Sequence, residues 1–193
     1  MSTNDHMPVI MTGYMGLKGT AVLAESFGDR INERYPAHLV RNAVSFGGSG
    51  LLGKLESARE IIIGYLKGYG IPEPEECFVS GASEGGILTA LYDLAGKSGV
   101  GFELDLRKIP VRQETIEICE LLEVNPYHLY SEGCYTAIVP EAEECIKRLK
   151  EAGINACAVG YTTDKKAHIL HNDGTESHLN RPEPDELVRL GLI

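Results

Sequence analysis

Hydrophobic positions follow two patterns along the chain, one typical of strands and one typical of helices, and the two patterns alternate. Short apolar or alternating runs predict strands at residues 9–12, 77–79, 102–106, 135–139, 156–161 and 167–171. Helical spacing predicts helices at residues 21–27, 36–46, 51–69, 87–97, 113–122 and 141–152, with a short one at residues 182–187. Gly28 is expected to end the first helix. The succession predicts one α/β domain over residues 1–193, a mixed sheet with helices packed on it.

Composition narrows the classes of protein that remain. A length of 193 residues suits one domain of this type. The formal net charge is −10, which argues against a nucleic-acid backbone as the main partner, although a few local donors can still hold a small anion. No apolar run is long enough to cross a bilayer, and the polar start lacks the features of a signal peptide. We therefore expect a cytoplasmic protein.

Cysteines and histidines give no metal pattern. The chain has five cysteines, none at CxxC spacing, which indicates reduced thiols in place of a zinc site or disulfide framework. His168 and His171 lie close in sequence, but no cysteine or carboxylate pair accompanies them. The sequence predicts no metal site.

Two glycine turns carry the candidate chemistry, because each stands between a predicted strand and a predicted helix. The first turn of a helix has unpaired N–H groups and the positive end of the helix dipole, and glycines let an anion approach closely. The candidate phosphate-binding residues are Gly13, Gly16, Lys18, Gly19 and Thr20 in the first turn, and Ser83, Glu84, Gly85 and Gly86 in the second. Neither turn matches a dinucleotide or P-loop fingerprint. Two interpretations stay open: an anion site, or glycines that only shape turns and end helices.

Individual side chains in these turns have ordinary explanations as well. Glu84 is favourable in the first turn of a helix whether or not it contacts a ligand. Lys18 fits a surface lysine slightly better than a phosphate ligand. The pattern assigns no catalytic residue.

The order of several motifs resembles the C-terminal half of the AIR-synthase-related superfamily, which includes the hydrogenase-maturation dehydratases. The resemblance rests on residues 8–24, on residues 83–101 with Gly85-Gly86, on residues 108–126, and on Ser131-Glu132-Gly133 before the strand that ends at Val139. It implies a three-layer domain with a mixed sheet, partly like a ferredoxin-like fold. It also adds Glu132 to the candidate ligand-binding residues.

The resemblance implies an activity that needs a second half. Family members use ATP and Mg²⁺, which their N-terminal half largely holds, while the C-terminal half closes the cleft and helps to hold the substrate. This chain lacks that N-terminal half, so we expect no cofactor in this chain alone. It also departs from the family: Ser80 and Gly81 replace a His-Asp pair, and the chain ends Gly191-Leu192-Ile193 where the dehydratase has a terminal cysteine.

Two main hypotheses follow. In the first, the chain is the substrate-side half of a split ATP-dependent ligase, dehydratase or kinase, active only with a separately encoded N-terminal half. In the second, it is a non-catalytic binding or assembly module that kept the fold; a fragment of a larger enzyme is a third alternative. Loss of a covering half exposes an apolar face, so we expect a homodimer or a heteromer with the N-terminal half.

Overall fold

A computed structural model describes residues 6–193, except for the side chains of residues 49–56. Helical spacing places Leu55 on the apolar face of the helix predicted at residues 51–69, and its side chain lies outside the described ones. The strands are β1 (Pro8–Thr12), β2 (Val79–Gly81), β3 (Gly101–Asp105), β4 (Tyr135–Ile138), β5 (Ala156–Thr163), β6 (His168–Asn172) and β7 (Thr175–His178). The helices are α1 (Leu17–Arg34), α2 (Ala37–Ser45), α3 (Ser49–Gly68), α4 (Pro74–Cys77), α5 (Gly86–Ser98), α6 (Gln113–Leu122), α7 (Ala142–Glu151) and α8 (Glu186–Arg189).

The strands form one sheet of seven strands in the order β2-β4-β1-β5-β3-β6-β7. Neighbours are antiparallel, except that β3 and β6 run parallel. The sheet is therefore mixed, as the sequence predicted. Its described edges are β2 and β7.

Helices cover both faces of the sheet. On one face, α5 packs over a cluster that includes Val9, Phe102 and Leu104. On the other face, α3 and α7 pack over Ile10 and Ala137. Successive residues of β1 thus belong to different cores, which explains why that strand is an unbroken apolar run instead of an alternating one. The predicted three-layer architecture is confirmed.

A third cluster joins α1, α2 and α6 to the end of the chain. It contains Leu23, Ile31, Leu39 and Ile118, and Leu187 of α8 is fully buried in it. The short C-terminal helix is consequently part of the core. Residues 179–185 connect β7 to α8 and form a segment that we call the strap.

Several sequence-based boundaries are wrong, each for a local reason. Gly28 does not end α1; the backbone leaves helical geometry only at Phe27 and the helix resumes to Arg34. The sequence patterns assign no element to Thr175–His178, but this segment pairs with β6 as an exposed edge strand. Residues 74–77 form a short helix, which moves the following strand to Val79–Gly81. No helix in the described part of the chain is long and apolar enough to span a membrane.

Candidate functional site

The sheet topology brings the two glycine turns together. β1 and β2 are both antiparallel to β4. The C-terminal ends of β1 and β2 therefore lie beside the N-terminal start of β4. The Ala82 N–H donates to the Cys134 carbonyl at 2.8 Å, and the Ser131 N–H donates to the Ser83 carbonyl at 3.2 Å. We call residues 13–20, 82–86 and 129–134 the turn cluster. It contains every residue that the sequence nominated for ligand binding.

The first glycine turn is closed by the segment before β4. Gly16 has φ 71° and stands at the N-cap of α1. Its N–H donates to the Ser131 hydroxyl at 2.8 Å, and the Gly19 N–H donates to the Tyr130 carbonyl at 2.9 Å. The buried Thr20 hydroxyl donates to the Gly16 carbonyl at 2.7 Å and lies 2.8 Å from the Thr115 hydroxyl. These donors are therefore engaged within the protein.

The second turn is capped by a carboxylate from the end of the chain. Gly85, with φ 76°, is the N-cap of α5, and its N–H donates to Asp185 Oδ2 at 2.8 Å. Asp185 Oδ1 accepts from the Leu187 N–H at 2.9 Å. The Asp185 side chain is buried, and burial raises its pKa, partly opposed by the N–H groups that donate to it. An internal anion thus occupies the helix end where the sequence predicted an external one.

Gly86 is required by close packing. Its φ is 71°, and a Cβ there would overlap the Tyr127 carbonyl oxygen and lie 2.9 Å from His128 Cα. The short 3-10 turn Pro126–His128 therefore rests directly on the start of α5. Gly86 is therefore needed for close packing between α5 and this 3-10 turn.

The structure corrects one premise of the predicted anion site. The N–H groups of Gly16, Gly19 and Gly85 were expected to be unpaired, but each donates to a protein oxygen. The site itself stays a prediction. Its accessible side chains are Ser83, Glu84 and Glu132, while Lys18 is half-buried and the glycines and Thr20 are buried.

The exposed rim of the turn cluster is acidic. The pKa of Tyr130 is raised, first by burial and then by the Glu132 carboxylate, with Glu84 and Asp185 adding to the effect. Cys134, beside Glu132, is buried, and burial raises the pKa of its thiol to about 12, so it stays protonated and unreactive at neutral pH. Within the described side chains, no three His, Cys, Asp or Glu residues converge so as to hold a metal ion.

A second candidate site, which the sequence analysis missed, lies beside the turn cluster. A cavity of about 360 Å³ opens between the strap, the 3-10 turn Pro126–His128 and the β6–β7 hairpin. We call it the strap pocket. It is lined by Leu88, Leu106, Asn125, Tyr127, His128, Leu170, Asn172, Ser177, His178, Leu179, Asn180, Arg181, Pro182 and Glu183. These residues are distant in sequence and follow no motif; the density of polar side chains in residues 177–183 is the only signal that could have pointed to them.

The fold and the turn cluster define an AIR-synthase-type α/β domain, and the comparisons agree. The E. coli HypE structure superposes with a TM-score of 0.65 at 19% identity, covering 98% of this chain and 54% of that one. HypE in complex with ATP gives a TM-score of 0.63 at 19% identity, covering 94% of this chain and 52% of that one. At these identities the likeness concerns the fold.

Sequence matches give the family. Residues 77–172 match the family described as AIR synthase related protein, C-terminal domain. Carbamoyl dehydratase HypE from Rhodobacter capsulatus is 34% identical over 82 residues, which is 40% of this chain and 24% of the relative. The chain belongs to the AIR-synthase-related proteins. The matched part is about a quarter of that curated relative and about half of each solved HypE chain.

Proposed function

We propose that this chain is the substrate-side, C-terminal-type half of an ATP-dependent catalytic unit of AIR-synthase type, and that it works with an ATP-binding half on another chain. The observation that carries the proposal is the extent of the match: nearly all of this chain superposes on about half of a HypE chain. One HypE structure of this kind is a complex with ATP, and another is a complex with HypF. Ligase, dehydratase or kinase chemistry would then require both halves, and residues 1–193 would act as one domain.

The turn cluster supports a position beside the nucleotide instead of around its phosphates. Phosphate oxygens would find the N–H groups of Gly16, Gly19 and Gly85 already bonded to protein oxygens. The exposed carboxylates of Glu84 and Glu132 suit a different group, because hydrated Mg²⁺ is commonly held by one or two carboxylates together with substrate phosphates. When bound, Mg²⁺ neutralises phosphate charge. In this proposal Glu84 and Glu132 would help to hold a hydrated Mg²⁺ ion that the other half presents.

A second candidate function is a non-catalytic binding or assembly module. The observation that favours it is the internal satisfaction of the helix ends, above all the Asp185 carboxylate at the start of α5. A domain that retains the fold for assembly has no need of free donors at these turns. Chemistry on ATP is what separates the two candidates.

The deciding experiment is a reconstitution with a separate ATP-binding half. Phosphate release from ATP is measured for this chain, for the N-terminal half of R. capsulatus HypE, and for the two together. We expect steady release only from the mixture, with a rate reduced by Glu132→Gln and unchanged by Glu176→Gln, a substitution on the exposed strand β7. Steady hydrolysis by this chain alone would overturn the proposal. A mixture that associates but stays inactive would favour the assembly module.

The predicted anion site has its own test. Pyrophosphate is titrated into the chain while backbone amide shifts are followed. The engaged donors lead us to expect no saturable shift at Gly85 in the native chain, and a shift in Asp185→Asn, which removes the competing negative charge. Saturable shifts at Gly16 and Gly85 in the native chain would establish the site as the sequence predicted it.

A further inference from the structure

We infer that the strap pocket binds a small zwitterionic metabolite of amino-acid type with an apolar side chain. The inference does not depend on the proposed ATP-dependent function, because every residue that forms the pocket belongs to this chain. It rests on the shape of the cavity, its apolar floor and the opposite charges that line it.

The cavity has the size and floor of a small-molecule site. Its volume of about 360 Å³ falls at the lower end of the range typical of ligand pockets. Leu88 of α5, Leu106 and Leu170 of β6 provide apolar surface at its base; Leu106 and Leu170 are buried, while Leu88 is half-buried. Such a floor favours an aliphatic or aromatic group over a fully polar ligand.

Two opposite charges line the same cavity. Arg181 and Glu183 both lie on the strap and both contribute to the pocket wall. Each precedes a proline, which restricts its backbone to extended conformations and limits the directions that its side chain can take. A guanidinium can bind a carboxylate through two parallel hydrogen bonds, and the Glu183 carboxylate can accept from an ammonium group. A ligand with both groups matches both charges.

The backbone of the strap is held at both ends. At its start, the Leu179 N–H donates to the His168 carbonyl at 3.0 Å. At its end, Asp185 accepts from Gly85 and Leu187. A fixed frame lowers the entropy that is lost when a ligand binds.

His128 gives an independent sign of incomplete polar pairing in this wall. Its Nε2 lies 3.9 Å from Glu183 Oε2, while its buried Nδ1 has no hydrogen-bond partner. Buried polar atoms without partners are rare in folded proteins, so each one calls for an explanation, and a bound polar group is one such explanation. The His128 ring therefore lies near the Glu183 carboxylate and keeps one ring nitrogen that no protein group binds.

The experiment uses three probes that differ by one group. L-leucine, 4-methylpentanoate (no amine) and 3-methylbutylamine (no carboxylate) are titrated into the chain, with affinities from calorimetry and locations from amide shifts. We expect L-leucine to bind, with shifts at Leu170, Ser177 and Arg181, and each analogue to bind at least about tenfold more weakly, because each loses one charged hydrogen bond.

Matched variants assign the two charges separately. Arg181→Gln should weaken L-leucine and 4-methylpentanoate alike, whereas Glu183→Gln should weaken L-leucine and leave 4-methylpentanoate unchanged. Glu176→Gln, outside the pocket, serves as the control and should leave all affinities unchanged. Absence of L-leucine binding at millimolar concentration, equal affinity for all three probes, or shifts confined to other surfaces would each overturn the inference.

Discussion

The turn cluster and the strap pocket meet at the start of α5, but they differ in how their polar groups are paired. In the turn cluster, Gly16 and Gly85 donate to Ser131 and Asp185, so the helix ends are satisfied from within. In the strap pocket, Arg181 and Glu183 line an open cavity. Glycine turns therefore specify the shape of this domain, whereas the less conspicuous polar segment after β7 carries the accessible chemistry.

The largest effect is expected where the two regions touch. Gly86→Val places a side chain against the Tyr127 carbonyl at a positive φ, and we expect it to destabilise the fold by about 3–5 kcal/mol. Urea unfolding measures the change. Gly96→Ala is the matched control: it lies in the same helix with open space around it, and should stabilise by about 0.5–1 kcal/mol. A Gly86 variant as stable as the native chain would show that the 3-10 turn can move away.

Removal of the internal anion should have the next largest effect. Asp185→Ala leaves the N–H groups of Gly85 and Leu187 without their acceptor, and we expect a loss of about 2–3 kcal/mol. In the variant, hydrogen exchange at the Leu187 amide should become faster than in the native chain, and it should increase more there than in the core of β1. Asp93→Ala, an exposed change on α5, should stay within about 0.5 kcal/mol. Unchanged exchange at Leu187 in the Asp185 variant would refute the role of the carboxylate as an anchor.

The pH dependence of the same residue sharpens the contrast. Burial raises the folded-state pKa of Asp185 above its unfolded value near 3.9, so the folded state binds the proton more tightly. Its contribution to stability is therefore fully present below the unfolded pKa and declines as pH rises through the folded pKa. Compared with Asp185→Asn, the native chain should therefore become less stable as pH rises above the unfolded-state pKa of Asp185. Unfolding free energies of both proteins across that rise in pH test this; a difference that grows with pH would reverse the sign.

The smallest stability effect is expected in the strap pocket. Arg181 is exposed and lies outside the three hydrophobic clusters. Arg181→Gln should therefore change the free energy of unfolding by less than about 0.5 kcal/mol while it weakens L-leucine binding. Thermal unfolding and calorimetry on the same preparation check both parts. A large stability loss would mean that the residue supports the strap instead of a ligand.

How far the sequence could go differs between fold and site. The helix Gln113–Leu122 was predicted with the bounds that it has, because its apolar positions follow one helical face. Gly28 failed as a stop signal because packing of α1 against α2 and α6 outweighs the cost of a glycine in a helix. The edge strand β7 was missed because its exposed residues show no alternation; only its pairing with β6 makes it a strand.

The sequence by itself determined the α/β class, a mixed sheet with helices packed on it and the positions of the two glycine turns, because periodicity and turn residues act over a few neighbouring positions. Tertiary structure alone decided that the Asp185 carboxylate caps the start of α5. It also decided that Arg181 and Glu183 line the same cavity as Leu88 and Leu106. These residues are brought together by strand order, which depends on burial summed over the whole sheet. A local sequence pattern therefore does not predict which of these residues come together.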